Sequence, residues 1–115
     1  DAISGMGLPD GIHTLAGERV VVDKGICRLE DGTLAGSTLT MSKAVENMVR
    51  LVGVSIQDAI RMATLNPAIA IGIEAQKGNL KPGMDGDIVI LDKDLDVFFT
   101  IVKGEVIYSK SEGCE

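Results

Sequence analysis

The sequence has 115 residues, 45% of them hydrophobic and 24% charged, with a net charge of −6 at pH 7. That acidity excludes a binder of phosphate backbones or anionic membrane surfaces, and aromatics at 3% with no Trp leave no stacking platform for single-stranded nucleic acid. The longest apolar runs are a handful of residues, far short of the roughly 20 that a membrane span needs, and the composition is that of a globular chain without low-complexity tracts.

Residues 1–12, which open on DAISGMGLPDG, are expected to be loop, because Gly5, Gly7, Pro9 and Gly11 interrupt both helical and strand periodicity. A compact β region follows. HTL, ERVVV and ICRL read as three short strands joined by glycine-containing turns at AG and DKG. Apolar residues run on within Arg19–Val22 and mix with polar ones over Ile26–Leu29, the pattern of a partly covered sheet. EDGTLAGS, with Gly32 and Gly36, reads as a second loop.

From Thr40 the period changes. Met41, Ala44, Val45, Met48, Val49 and Val52 fall on one helical face, with Thr40 as N-cap and Gly53 where a left-handed residue would end the helix. A second helix starts at Ser55, with Asp58 in a capping-box arrangement and Ile56, Ala59, Ile60 and Ala63 as its buried face. Asn66-Pro67 is expected to stop it and to begin a further short turn that Gly72 closes. LKPGMDGD reads as a turn in which Gly83 and Gly86 supply unusual backbone angles. DIVIL then suits a strand covered on both faces, and FFTIV and EVIY form a hairpin about Lys103-Gly104. The tail SKSEGCE is expected to fray. A mean hydropathy of +0.25 with so few aromatics suits a piece that packs against further protein, so the chain reads as part of a larger one.

Few residues offer chemistry by themselves. Cys27 and Cys114 lie far apart without CxxC spacing and read as reduced thiols rather than zinc ligands. His13 is the single histidine, has no ligand-type residue at metal spacing, and is assigned no role. No nucleophile elbow, P-loop or dinucleotide fingerprint occurs. Gly36 and Ser37 precede a helix start, which makes the loop either an ordinary connection or a place where free N–H groups meet an electronegative partner. Asp1 is equally open, between a solvated terminal carboxylate and a group at the C-terminal rim of a barrel strand.

DAISGMGLPDG, DGTLAGSTLTM, RMATLNPAIAIGI and KGNLKPGMDGDIVILDKDLDV occur in the order found at the C-terminal end of the N-acetylglucosamine-6-phosphate deacetylases. The chain resembles that family of metal-dependent amidohydrolases from Asp1 to about Tyr108. The last two stretches are shared loosely with dihydroorotase-like and hydantoinase-like enzymes, whereas GTLAGS, after a meander that follows the Asp, points to the deacetylases. The resemblance implies an α/β fold. Residues 1–72 would close a (β/α)8 barrel, with the meander at 13–29 inserted near the active-site face. Residues 73–115 would be the C-terminal strands of a composite β-sandwich, whose core takes the Ile88–Ile90 run and Leu91.

The same resemblance implies that Asp1 is the catalytic acid/base, taking a proton from the attacking water and delivering one to the departing amine. Leu34, Ala35 and Gly36 would contact the substrate, with Ser37 a weaker candidate. A divalent metal, zinc or iron, would sit next to Asp1 but be held mainly by residues upstream, with no metal ligand in this segment. The implied enzyme is a cytoplasmic homodimer that hydrolyses the acetamide of N-acetylglucosamine 6-phosphate, without nucleic-acid or membrane partners, and the isolated chain would be inactive. The alternatives are another amidohydrolase acting on a cyclic amide, and a free-standing β-rich binding module.

Overall fold

The computed structural model describes residues 2–110. The chain divides after Ala44 into two compact units. In the first, β1 (Gly11–Leu15), β2 (Glu18–Asp23), β3 (Ile26–Leu29) and β4 (Leu34–Gly36) form an antiparallel sheet in sequence order. The three expected strands are all present. Two-residue turns join them, with Ala16 and Gly17 at φ of 51° and 88° and Lys24 and Gly25 at 48° and 74°. Positive φ at both central residues matches the turn twist to the strand twist, which is why a glycine follows each tip residue.

The alternation of side chains sets the core. Val20, Val22 and Cys27 are 2%, 3% and 0% exposed, and Ile3, Leu8, Leu15, Leu29 and Ala35 pack around them. Val21, one residue out of phase, faces outward. EDGTLAGS is not wholly a loop as expected: its Leu34-Ala35-Gly36 stretch pairs with β3 as β4. Three residues carry no periodicity of their own, so the partner strand decides their conformation.

In the second unit, α1 (Met41–Asn47), which begins before the division, runs into a π-helical segment, Met48–Val52. Thr40 caps the start, its hydroxyl accepting from the Lys43 N–H at 3.2 Å, and Gly53 ends the run at φ 82°, as the sequence implied. The expected single apolar face does not persist. Widening to i→i+5 bonding shifts the side chains around the axis, and Val52 is exposed. Helix α2 (Ile56–Ala63) has the expected cap, with Asp58 N–H donating to Ser55 Oγ at 3.1 Å and Ser55 Oγ donating to Asp58 Oδ2 at 2.7 Å. Ala59 is buried, and Ile56, Ile60 and Ala63 are half-buried on the same face.

The break after α2 falls at Thr64, earlier than Asn66-Pro67, and α3 (Leu65–Ala70) follows at once. Pro67 still causes it. Its ring would collide with the Ala63 carbonyl in a continuous helix, whereas a break at Thr64 leaves Pro67 in the first turn of α3, where no N–H is needed. Gly72 closes α3 as expected, with Ile73 N–H donating to Ala68 O at 2.9 Å and Gly72 N–H to Ile69 O at 3.1 Å.

The second sheet has the order β5 (Ile88–Leu91), β6 (Val97–Val102), β7 (Glu105–Ser109), all antiparallel. The hairpin about Lys103-Gly104 is present. Gly86 differs from expectation. Its φ is not positive; what it provides is room, because a Cβ there would stand 3.1 Å from Gly104 N. Strand β5 is not covered on both faces either: it is an edge strand, with Val89 55% and Ile90 43% exposed. Of the tail, Ser109 lies in β7 and Lys110 pairs with Asp92 and Asp96, so it does not fray from Ser109 as expected, while residues 111–115, Cys114 among them, lie outside the described residues.

Candidate functional site

Two of the sequence stretches singled out above, DAISGMGLPDG and DGTLAGSTLTM, meet on the first unit. Ala2 pairs with Ser37 in parallel register, and the Ile3 N–H donates to the Ser37 carbonyl at 2.9 Å. The start of the described chain therefore runs beside the end of β4. Asp1, the expected acid/base, lies outside the described residues.

Strand β4 is distorted where it meets this segment. Cys27 opposes Gly36 and Arg28 opposes Leu34, so Ala35 is the extra residue of a bulge. The three expected contact residues consequently separate in role. Leu34 is 60% exposed, Ala35 packs against the core, and Gly36 sits at φ 149°. A Cβ on Gly36 would stand 2.4 Å from Ile3 Cγ2, so only glycine fits. Leu34 and Gly36 line an open cleft of about 370 Å³, together with Ser37 and Leu39 on one side and Gly25 and Ile26 on the other.

The walls of the cleft are tied by hydrogen bonds. Thr38 Oγ1 donates to the Gly25 carbonyl, and Ser37 Oγ accepts from the Leu39 N–H at 3.1 Å, a turn bond that fits the helix-start role. At the β3–β4 turn, Asp31 Oδ1 accepts from the Thr33 N–H at 2.8 Å, which with the Thr33 hydroxyl holds the Asp31 carboxyl below the ordinary carboxylate value. Arg28 Nη1 donates to the Gly32 carbonyl at 3.0 Å, closing the same turn. His13 stands at hydrogen-bond distance, 2.8 Å, from the Pro9 carbonyl, which accounts for it as a loop anchor. Cys27 is a free, buried thiol.

Among the described residues, no three His, Cys, Asp or Glu side chains come together so as to hold a metal ion. The described residues by themselves do not form a metal centre. Nor do they contain a helix long and apolar enough to cross a membrane. What sequence reasoning missed is the role of Ile3, whose partner Gly36 is 33 positions away; two glycines near one apolar residue are its only trace in the sequence.

Residues 18–110 match the amidohydrolase family. The chain belongs to that family. The amidohydrolase chain is 44% identical over 106 residues to the N-acetylgalactosamine-6-phosphate deacetylase of Escherichia coli O157:H7, a match covering 92% of this chain and 28% of that protein. Among solved structures it is similar to the N-acetylglucosamine-6-phosphate deacetylase of Thermotoga maritima, with a TM-score of 0.82 at 43% identity, over 96% of this chain and 30% of the other. It is also similar to the N-acetyl-D-glucosamine-6-phosphate deacetylase of Mycobacterium smegmatis, solved as an aspartate-to-alanine mutant with N-acetyl-D-glucosamine-6-phosphate. There the TM-score is 0.78 at 33% identity, covering 94% of this chain and 29% of that one. The amidohydrolase chain thus spans under a third of the length of each of these relatives.

Proposed function

We propose that this chain is the C-terminal part of an amidohydrolase that cleaves the acetamide of N-acetylglucosamine 6-phosphate to glucosamine 6-phosphate and acetate. The observation that carries the reading is the match along nearly the whole chain to deacetylases of N-acetylated amino-sugar 6-phosphates, by sequence and by fold. The parallel Ala2–Ser37 pairing supports it, because barrel strands pair in that sense and keep their catalytic groups at the C-terminal rim. On this reading residues 1–72 finish the barrel, with the meander at 13–29 inserted, and residues 73–115 supply sandwich strands.

Asp1 is assigned the acid/base role. An amine leaves an acetamide carbon only when protonated, so one carboxylate that takes a proton from the attacking water and returns one to the nitrogen serves both halves of the reaction. Leu34 offers an apolar side chain to the sugar, Gly36 contributes the backbone with which it lines the cleft, and Ala35, turned to the core, contributes through its main chain. A divalent metal would be held by groups outside the described residues.

A second reading takes N-acetylgalactosamine 6-phosphate as the substrate, and the 44% identity to a deacetylase of that epimer favours it. Acetate release by the complete polypeptide from both epimers separates the two. A higher kcat/KM for the gluco sugar is expected, a reversed ratio transfers the assignment to the galacto sugar, and no release from either overturns both. Asp1→Asn is expected to lower kcat by about 100-fold or more, the scale of general acid–base catalysis.

A further inference from the structure

The turn between β2 and β3 is held from both sides by the two stretches that meet on the first unit. A two-residue hairpin turn leaves the N–H of its first central residue and the carbonyl of its second outside the strand ladder. Here those groups belong to Lys24 and Gly25. The Lys24 N–H donates to Asp10 Oδ1 at 2.9 Å, and the Gly25 carbonyl accepts from Thr38 Oγ1. One side chain thus ties the turn to DAISGMGLPDG, 14 positions back, and another ties it to DGTLAGSTLTM, 13 positions on.

The same turn leads into the lining of the cleft. Ile26 lies two residues from Arg28, which opposes Leu34, so Ile26 and Leu34 share the sheet face that points away from Cys27 and the core. Both stay exposed and line the cleft, with Leu39 as a third exposed apolar side chain. Its volume of about 370 Å³ is that of a small-molecule site, and a sugar ring presents C–H faces that apolar walls cover. Thr38 lines the cleft as well, and its hydroxyl fixes where Gly25 and Ile26 stand relative to the stretch after β4.

We infer that Ile26 is a further substrate-contact residue, covering an apolar side of the amino sugar beside Leu34, and that Thr38 and Asp10 are positioning residues that hold it there. The inference rests on the deacetylase reading and on the contact role given above to Leu34–Gly36.

Steady-state deacetylation by the complete polypeptide, on the epimer it turns over better, tests this. Ile26→Ala is expected to raise KM about tenfold and to leave kcat within about twofold, the loss of a contact made equally in ground and transition states. Thr38→Val keeps the shape without the donor and is expected to raise KM about fivefold, the worth of one net hydrogen bond, while Thr38→Ser restores it to within about twofold. Asp10→Ala is expected to match Thr38→Val and to speed exchange of the Lys24 amide, with β5–β7 unchanged. In an Ile26→Ala background, Thr38→Val is expected to add less than about twofold, because it acts through a side chain already removed. Should Thr38→Val fail to fold, Ile26→Ala and Asp10→Ala, both at exposed positions, decide. An equal effect of Thr38→Val in both backgrounds overturns the inference, as does a loss confined to kcat. A wild-type polypeptide that releases no acetate overturns the deacetylase reading and this inference with it, whereas activity with KM unmoved in Ile26→Ala overturns this inference alone.

Discussion

At the scale of single residues, Asp87 does more than its place in a turn suggests. Its Oδ2 pairs with Lys77 Nζ, and its Oδ1 accepts from the Lys103 N–H at 2.8 Å, tying the loop before β5 to the β6–β7 turn. The hydrogen bond from Lys77, followed by that from Lys103, lowers its carboxyl below the ordinary aspartate value of 3.8, while Lys77 is raised, first by Asp85 and then by Asp87. A lowered carboxyl stabilises the fold above the unfolded-state value and loses that contribution as pH falls through the folded-state value. The raised lysine contributes below 10.5 and loses its share as pH rises through its higher folded value. Asp87 is exposed and Lys77 only half-buried, so the effect is modest and screened by salt. Denaturant midpoints of the second unit from neutral pH to about pH 2 are expected to fall with acidification, and Asp87→Asn to flatten that slope. An unchanged acid slope in the variant would show that Asp87 does not carry it. The Asp87–Lys103 bond was not readable beforehand, because it joins residues 16 positions apart through a backbone donor.

At the scale of elements, chemistry confined to a few neighbouring residues was the most legible. The Thr40 and Ser55 caps, the left-handed Gly53, the closing bonds at Gly72 and the three glycine hairpin turns follow from residue types that solve a local backbone problem. Their energetic weight is testable at α2. Ser55→Ala removes the acceptor for Asp58 N–H and is expected to cost about 1 kcal/mol, while Ser55→Asp keeps an acceptor and most of the stability. Urea titrations that find the two variants equal would refute the cap. Elements whose identity depends on a distant partner were misread. Leu34-Ala35-Gly36 becomes a strand only because Cys27 and Arg28 lie alongside, and the turn at 48–52 winds as a π-helix despite an unbroken α-type apolar pattern. Pro67 was recognised as a breaker but acts from within the following helix, three residues past the break.

At the scale of the whole molecule, little apolar surface is enclosed. Among the described residues only Val20, Val22, Cys27, Val45, Ala59 and Ala68 are buried hydrophobics, whereas Leu51, Ile71 and Leu80 are each more than 70% exposed. Strand β7 is exposed along its length at a sheet edge, a template for further pairing. The chain purified alone is therefore expected to bind a hydrophobic dye strongly, to exchange its β7 amides early and to show no deacetylation. Weak dye binding with slow β7 exchange would mark a self-sufficient fold and favour the binding-module alternative. Family membership, the hairpins, the helix starts and the candidate stretches 1–11 and 31–41 were all set by residue order, because each rests on contacts within a few positions or on motif succession. The pairing of Ala2 with Ser37, the packing of Ile3 against Gly36 and the turning of Ala35 into the core arose only with the folded chain. They depend on which distant backbones pack together, and a one-dimensional pattern does not encode that separation.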